Sequence, residues 1–287
     1  MTAIVTIIKH SQGTHGIPVV TAEAIYWRAI HGELLTHRDL SRNSSSSRAV
    51  PVRKMIAQTW SNPAGPIHWG ANRPGMQATE QLTGWRLWLA KKLWRSAAKF
   101  ATAHSWAMMK IGLHKQVANR TTEPYQFIHT LITATELSNF FNLRCHPDAQ
   151  PEMQELATKL RDAIRASKPV LLRPGEWHMP YVTDAEALTF GVEAALKMST
   201  ARCARVTHRN HDGTEPRPND DYRLHDRLVG SDPIHASPTE HQVESMPTQD
   251  RYANMVGWRS YRKAVECRSL RITGQLRPLS FGGRTKK

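Results

Sequence analysis

Acidic residues are scarce in this 287-residue chain: 24 Asp and Glu stand against 39 Lys and Arg, a formal charge of +15 with a pI near 10.1. Such a balance calls for an anionic partner, whether nucleic acid, a phosphorylated small molecule or an acidic membrane surface. Cysteine is scarcer still. Cys145, Cys203 and Cys267 are an odd number, widely spaced and without a Cys-x-x-Cys pair, so neither a disulfide framework nor a metal site is indicated. A reducing cytoplasm fits, in a cell or in a virus-infected host. Long hydrophobic runs are also missing. The first residues, MTAIVTIIKHSQG, hold one short apolar run, no small-residue cleavage site and nothing near the ~20 apolar residues of a membrane span. A soluble protein with no membrane partner is expected. There is no internal repeat. With 40% hydrophobic and 22% charged residues the chain can build a sizeable core, which excludes a disordered or collagen-like polymer.

The local patterns mix strand and helix. Residues 3–8 and the run IPVVTAEAI read as β-branched strands joined by SQGTHG, an antiparallel hairpin. Tyr26, Ile30 and Leu34 recur at helical spacing, so a helix is expected to follow directly and to end near HRDLSRN. SRNSSSSRAVP then reads as a loop, and residues 60–77, dense in Pro, Gly and Asn, as a long irregular segment. Residues 79–112 form the longest helical candidate. Leu82, Trp85, Leu89, Leu93 and Phe100 supply one apolar side, and Lys91, Lys92, Arg95 and Lys99 lie elsewhere around it. That pattern predicts an ordinary amphipathic helix with a solvated basic face. Further helices are expected over 124–143 and from Pro151, with Asp148 as cap. RPGEWHMPYV reads as a loop, ARCARV and DDYRLHDRL as helices, with Gly230 closing the second, and THRNHDGTEPRPN as a linker between them. Past Glu266 the tail carries Arg268, Arg271, Arg277, Arg284, Lys286 and Lys287 and no acid, so disorder is expected after about residue 270.

Chemistry concentrates in a few segments. His37-Arg38-Asp39-Leu40-Ser41-Arg42-Asn43-Ser44-Ser45-Ser46-Ser47-Arg48 offers N–H and O–H donors converging on one anion, for which phosphate is the natural ligand. On spacing alone a serine-rich loop flanked by arginines is equally a solvated linker. The segment resembles the signature of the flavin-dependent thymidylate synthases, Arg-His-Arg, seven residues, Ser, then Arg: Arg38 and Ser46 keep the spacing and Arg48 follows. Asn139-Phe140-Phe141-Asn142-Leu143-Arg144, followed by Asp148-Ala149-Gln150-Pro151-Glu152, resembles a second motif of the same family. Ala204-Arg205-Val206-Thr207 and His235-Ala236-Ser237-Pro238-Thr239-Glu240-His241 resemble a third and a fourth. In the family's usual order those two precede the Arg-His-Arg signature; in this chain they come last. A circular permutation accounts for that order, the resemblance covering most of residues 17–168 and 199–242.

The resemblance implies an α/β (α+β) fold, an antiparallel sheet with long helices, assembled as a homotetramer with shared sites. It implies one catalytic domain over 1–267, with 52–112 as an insertion and 199–242 as the permuted family motifs, and a basic tail over 268–287 capable of weak nucleic-acid contact. The implied activity is reductive methylation at C5 of dUMP, with methylenetetrahydrofolate as carbon donor, FAD as flavin and NADPH as reductant. By the matched positions, His37, Arg38, Asn139, Thr207, His235, Ser237 and Glu240 would contact FAD. Glu33, Ser44, Ser46, Ser47, Arg48, Arg120 and Arg144 would hold the deoxypyrimidine monophosphate. Ser46 and Arg144 would carry catalysis, Arg144 by favouring ionisation at N3 of the ring.

Plainer roles compete. Arg144 is equally placed to cap a helix C-terminus or to pair with Asp148. Asn139 and Arg144 are about 140° apart on one continuous helix. The chain also departs from the family at Thr36, Ser44 and Glu33, and at Thr133 and Thr135, which stand where an Asn and an Arg line the flavin. Those departures keep open a flavin- and folate-dependent hydroxymethylase acting on dCMP or dUMP. A third reading is a non-catalytic nucleic-acid-binding protein using the 79–112 helix and the tail.

Overall fold

The computed structural model describes residues 2–75, 78, 80–206 and 214–272, with side chains up to 267. Thr207, most of the THRNHDG linker and the tail beyond 272 lie outside the described residues. The chain runs β1 (Ile4–Gly13), β2 (Pro18–Trp27), α1 (His31–Leu35), β3 (Ser41–Ser44), α2 (Val52–Ser61), α3 (Gly84–Lys110), α4 (Lys115–Ala118), β4 (Phe127–Ala134), α5 (Ser138–Arg144), α6 (Pro151–Ala166), β5 (Val170–Leu172) and β6 (Trp177–His178). It continues through α7 (Asp184–Phe190), α8 (Val192–Arg205), α9 (Pro218–Val229), β7 (Val243–Ser245), β8 (Arg251–Tyr252), β9 (Met255–Val256), β10 (Trp258–Ser260) and α10 (Tyr261–Ile272). Helix and strand are mixed, with mostly antiparallel pairing, as expected.

The hairpin forms because two β-branched runs flank a turn that Gly16 closes at φ +87°, a conformation open to glycine. These strands sit in a five-stranded sheet of order β3-β4-β2-β1-β5, in which only β5 pairs parallel, against β1. Alternation along β2 divides its side chains between two covered faces. Ala22, Ala24 and Tyr26 pack with Met153, Leu156 and Leu160 of α6. On the other face Val19 meets Val243, Met255 and Trp258, while Leu131 of β4 meets Cys203 and Val206.

Several local expectations are corrected. Tyr26 and Trp27 complete β2 instead of opening a helix, since their partners Ile128 and Phe127 on β4 extend the ladder. Only residues 31–35 after them are α-helical. The serine run begins as strand β3, paired with β4 from Ser41↔Thr133 to Ser44↔Thr130. Residues 124–143 are not one helix: Phe127–Ala134 form β4, with Thr133 inside the sheet, and α5 follows. Within RPGEWHMPYV, Trp177 and His178 pair with β7. Asp148 does not cap α6; Gln150 occupies that position without a side-chain cap bond.

The long helix α3 appears where expected but the other way round. Small residues, Ala98, Thr102 and Ser105, face the body of the protein. Trp85, Leu93 and Phe100 are 70, 60 and 66% exposed, and Trp88, Leu89 and Trp106 are exposed too. Lys92 lies over Trp88 and Lys110 over Trp106 at cation–π distance. Residues 40–122 hold 13 Lys and Arg and a single acid, Glu80, so most of the excess charge belongs to this stretch and not to the tail.

A buried polar spine crosses the sheet. Ser11 Oγ is 2.9 Å from His178 Nδ1, His178 Nε2 is 2.8 Å from Thr21 Oγ1, Thr21 is 2.7 Å from Thr133 Oγ1, and that hydroxyl is 2.8 Å from His241 Nδ1. All five side chains are buried. Burial pushes His241 down to about 3, and burial, then the charge of Lys9, hold His178 well below its usual range. Both rings are neutral, and the unfolded chain takes up protons between about pH 6.5 and 3 that the folded chain refuses. Stability is therefore full above pH 6.5 and falls with acid, by about 1.4 kcal/mol per pH unit for each such ring. Urea midpoints should drop between pH 7 and 5, and less steeply in His241→Gln. Equal slopes in the two proteins would show that His241 does not titrate on unfolding.

Candidate functional site

The Ser-rich segment is held open by its pairing, not by solvent. Beyond β3, Ser45 N donates to His129 O at 2.8 Å, and Asn119 Nδ2 donates to the carbonyls of Ser47 and Val50. Asn43 Nδ2 reaches across to the Cys203 carbonyl at 2.7 Å, tying the segment to the end of α8. There the chain turns at Val206, whose φ of 63° is left-handed and costly for a β-branched residue.

These connections enclose a cleft of about 600 Å³ lined by Asn43, Ser44, Ser45, Ser46 and Arg48 on one side and by Arg205, Val206, Arg223, Arg227 and His235 on the other. Its chemistry is that of an anion site, with hydroxyls and guanidinium forks together. Ser44 Oγ also joins a chain through Thr130 and Tyr26 to His31 Nδ1. His31 falls to about 4 through burial and then the charges of Arg28 and Arg42, so it stays neutral.

A second cluster lies where α1 meets α5. Arg144 Nε donates to His37 Nε2 at 2.9 Å and Nη1 donates to Glu33 Oε2 at 2.8 Å. His37 also meets the edge of Phe140, ring centroids 4.9 Å apart. Burial, then Arg144 and Arg42, lower the His37 pKa, which keeps Nε2 a lone-pair acceptor. Arg144 does stand in the last turn of α5, as the plainer reading has it, while its partners Glu33 and His37 lie across the fold. Arg42 Nη1 donates to the Leu34 and His37 carbonyls beside this cluster, and the Glu240 carboxylate favours its charge.

The other expected residues divide. His235 lines the cleft. Ser237 opens the 3-10 turn Ser237–Glu240, and Glu240 is paired with Arg262 of α10. Ser47 and Arg120 both turn to Glu123, which also pairs with Arg28, so they stand off the cleft. Arg38 and Asn139 are exposed, and Asn139 shares the continuous helix α5 with Arg144, which puts the two on different sides. Three arginines of the cleft were not singled out for it by sequence reasoning. Arg223 and Arg227 stand four apart on α9 and so share a face, which was the available signal.

The family model of the thymidylate synthase complementing protein matches residues 19–170. No curated protein matches the chain. Among solved structures it is similar to the UMP/dUMP methylase PolB from Streptomyces cacaoi bound with 5-Br UMP, with TM-score 0.46 and 14% identity over 56% of this chain and 88% of that chain. It is also similar to the flavin-dependent thymidylate synthase ThyX from Helicobacter pylori complexed with FAD and dUMP, with TM-score 0.36 and 19% identity over 51% of this chain and 67% of that one.

The far wall of the cleft hangs on one carboxylate. Asp221, fully buried, accepts from Arg202 Nε at 3.0 Å and from Arg205 Nη1 at 2.5 Å. Asp221→Ala leaves buried Arg202 with Glu186 and the Tyr181 carbonyl and Arg205 without its carboxylate, and should cost about 3–5 kcal/mol. Chemical denaturation measures it; a loss below about 1 kcal/mol would show the pair to be solvated.

Proposed function

Because the chain belongs to the thymidylate synthase complementing protein family, we propose that it is a flavin-dependent thymidylate synthase, converting dUMP to dTMP by reductive methylation at C5. The observation that carries this reading is the cleft itself: Ser44, Ser46 and Arg48 face Arg205 and His235, although more than 150 residues separate the two sets. That juxtaposition supports a circular permutation within one catalytic domain over 1–267, residues 52–112 forming an insertion.

The residues present suit phosphorylated ligands, since hydroxyls and cations converge on one cavity. FAD, when bound, supplies the hydride that reduces the transferred carbon, with methylenetetrahydrofolate as carbon donor and NADPH as reductant. His37, Arg38, Asn139, Thr207, His235, Ser237 and Glu240 are proposed to hold it. Ser46 and Arg48 take the substrate phosphate: the Ser46 hydroxyl, which accepts from Arg48 N at 3.3 Å, keeps its own proton to donate. Arg144 acts on the base. The His37 ring and the Glu33 side chain fix its guanidinium plane, and a fixed cation beside the pyrimidine favours loss of the N3 proton and so the nucleophilic C5.

Glu33 favours a second reading. A carboxylate accepts hydrogen bonds and offers none, which suits the exocyclic amine of cytosine better than the O4 of uracil. Hydroxymethylation of dCMP follows if water instead of hydride meets the transferred carbon.

Purified protein should carry flavin absorbance and form dTMP from dUMP only with the folate and NADPH, and Arg144→Ala should lower turnover by about 10²–10³. Hydroxymethylated dCMP formed without NADPH selects the second reading. Steeply salt-dependent DNA or RNA binding without flavin selects the nucleic-acid one.

The 52–112 insertion offers a surface for self-association of its own, apart from any interface the resemblance implies. The outward side chains of α3 with Ile111 present roughly 900 Å² of apolar surface, close to the ~800 Å² one partner brings to a stable interface. A second copy is the proposed occupant. Sedimentation should show an oligomer that Leu93→Glu with Phe100→Glu dissociates; an unchanged sedimentation coefficient would place the interface elsewhere.

A further inference from the structure

Arg223 and Arg227 are not needed for a nucleoside monophosphate. The β3 side of the cleft already offers three serines and Arg48 to a phosphate. A phosphate monoester has three terminal oxygens, too few to satisfy that wall and also a second pair of guanidinium forks on the other side of a cavity of about 600 Å³. The second pair is available. Arg205 is spent on Asp221, but among the described residues no carboxylate pairs with Arg48, Arg223 or Arg227. Asp220 is the one acid on the lining. The two arginines project from adjacent turns of α9, whose entry is anchored by Asp221 against α8, so their spacing is set by the helix and not by a loop.

We propose that Arg223 and Arg227, with His235 beside them, form a second phosphoryl-binding set, and that the cleft takes a diphosphate ester spanning both walls. Two sources share that chemistry: a nucleoside 5′-diphosphate used as substrate, and the pyrophosphate of a dinucleotide cofactor. The inference rests on the reading above only in giving the substrate phosphate to Ser46 and Arg48. A protein that binds diphosphates and methylates nothing sinks that reading and leaves this one standing.

Titration calorimetry of the full chain with dUMP, dUDP and ADP-ribose tests it, in the native protein and in Arg223→Ala/Arg227→Ala. At least one diphosphate should bind tenfold or more tightly than dUMP, and the double variant should erase that advantage while dUMP affinity changes less than threefold. Tighter dUDP assigns the set to the substrate, tighter ADP-ribose to the cofactor, and both diphosphates together support the shared chemistry. Arg223→Lys/Arg227→Lys, which keeps charge and loses the planar fork, should recover part of the advantage. Three results overturn the proposal: equal affinity for all three ligands in the native protein, an equal loss on all three in the double variant, or a short single-stranded oligonucleotide that outcompetes both diphosphates.

Discussion

The buried carboxylate of Asp221 is the interaction on which the cleft depends. Two guanidinium groups of α8 close on it, and α9, which carries it, is thereby set against α8 at a fixed height. Arg202 also reaches Glu186 at the start of α7 and the Tyr181 carbonyl, so one buried ion cluster joins three helices. A charge without water needs every partner in place, which leaves little freedom to slide. The end of α8 is in turn pinned to β3 through Asn43. The wall of the cleft is therefore positioned by ionic and amide contacts, while the sheet beneath it is positioned by packing.

That sheet carries a run of polar groups through its interior from Ser11 to His241. Each member has a partner on both sides until His241, whose Nε2 meets no hydrogen-bond partner among the described residues. The hydroxyls of Thr21 and Thr133, opposite one another in the register, can donate in either direction. The run joins the hairpin, β4, β6 and the His235–His241 segment with a specificity that an apolar face of the same size does not supply.

The distribution of charge and size along 40–122 has a common cause. In α3 the side toward the body carries Ala98, Thr102, Ser105 and the single tryptophan Trp94, which packs edge-on with Trp27, Trp69 and Tyr125, while Trp85, Trp88, Leu93, Phe100 and Trp106 are turned out among the cations. An amphipathic pattern fixes that a helix has two faces. Which face packs depends on the space the neighbouring elements leave.

The hairpin, α3, α6 and α9, and the last turns of α8, were legible in the sequence because each is set by local terms: β-branching, 3.6-residue periodicity, a proline at the first turn, a glycine after the last. The serine and arginine donors of the anion site were legible as a cluster for the same reason. Strands β3 and β4 were not, because Ser41–Ser44 and the stretch around Thr133 become strands through each other's backbone bonds, which composition does not encode. Arg144 shows the limit for chemistry: the residue type was evident, but its partners Glu33 and His37 lie more than 100 positions away. By itself the sequence determined the hairpin, α3, α6 and α9, the excess of cations and the motifs that mark the family. Tertiary structure alone decided that residues 43–48 face Arg205, Arg223, Arg227 and His235, because that meeting rests on buried ion pairs and long-range hydrogen bonds whose geometry exists only once the chain has folded.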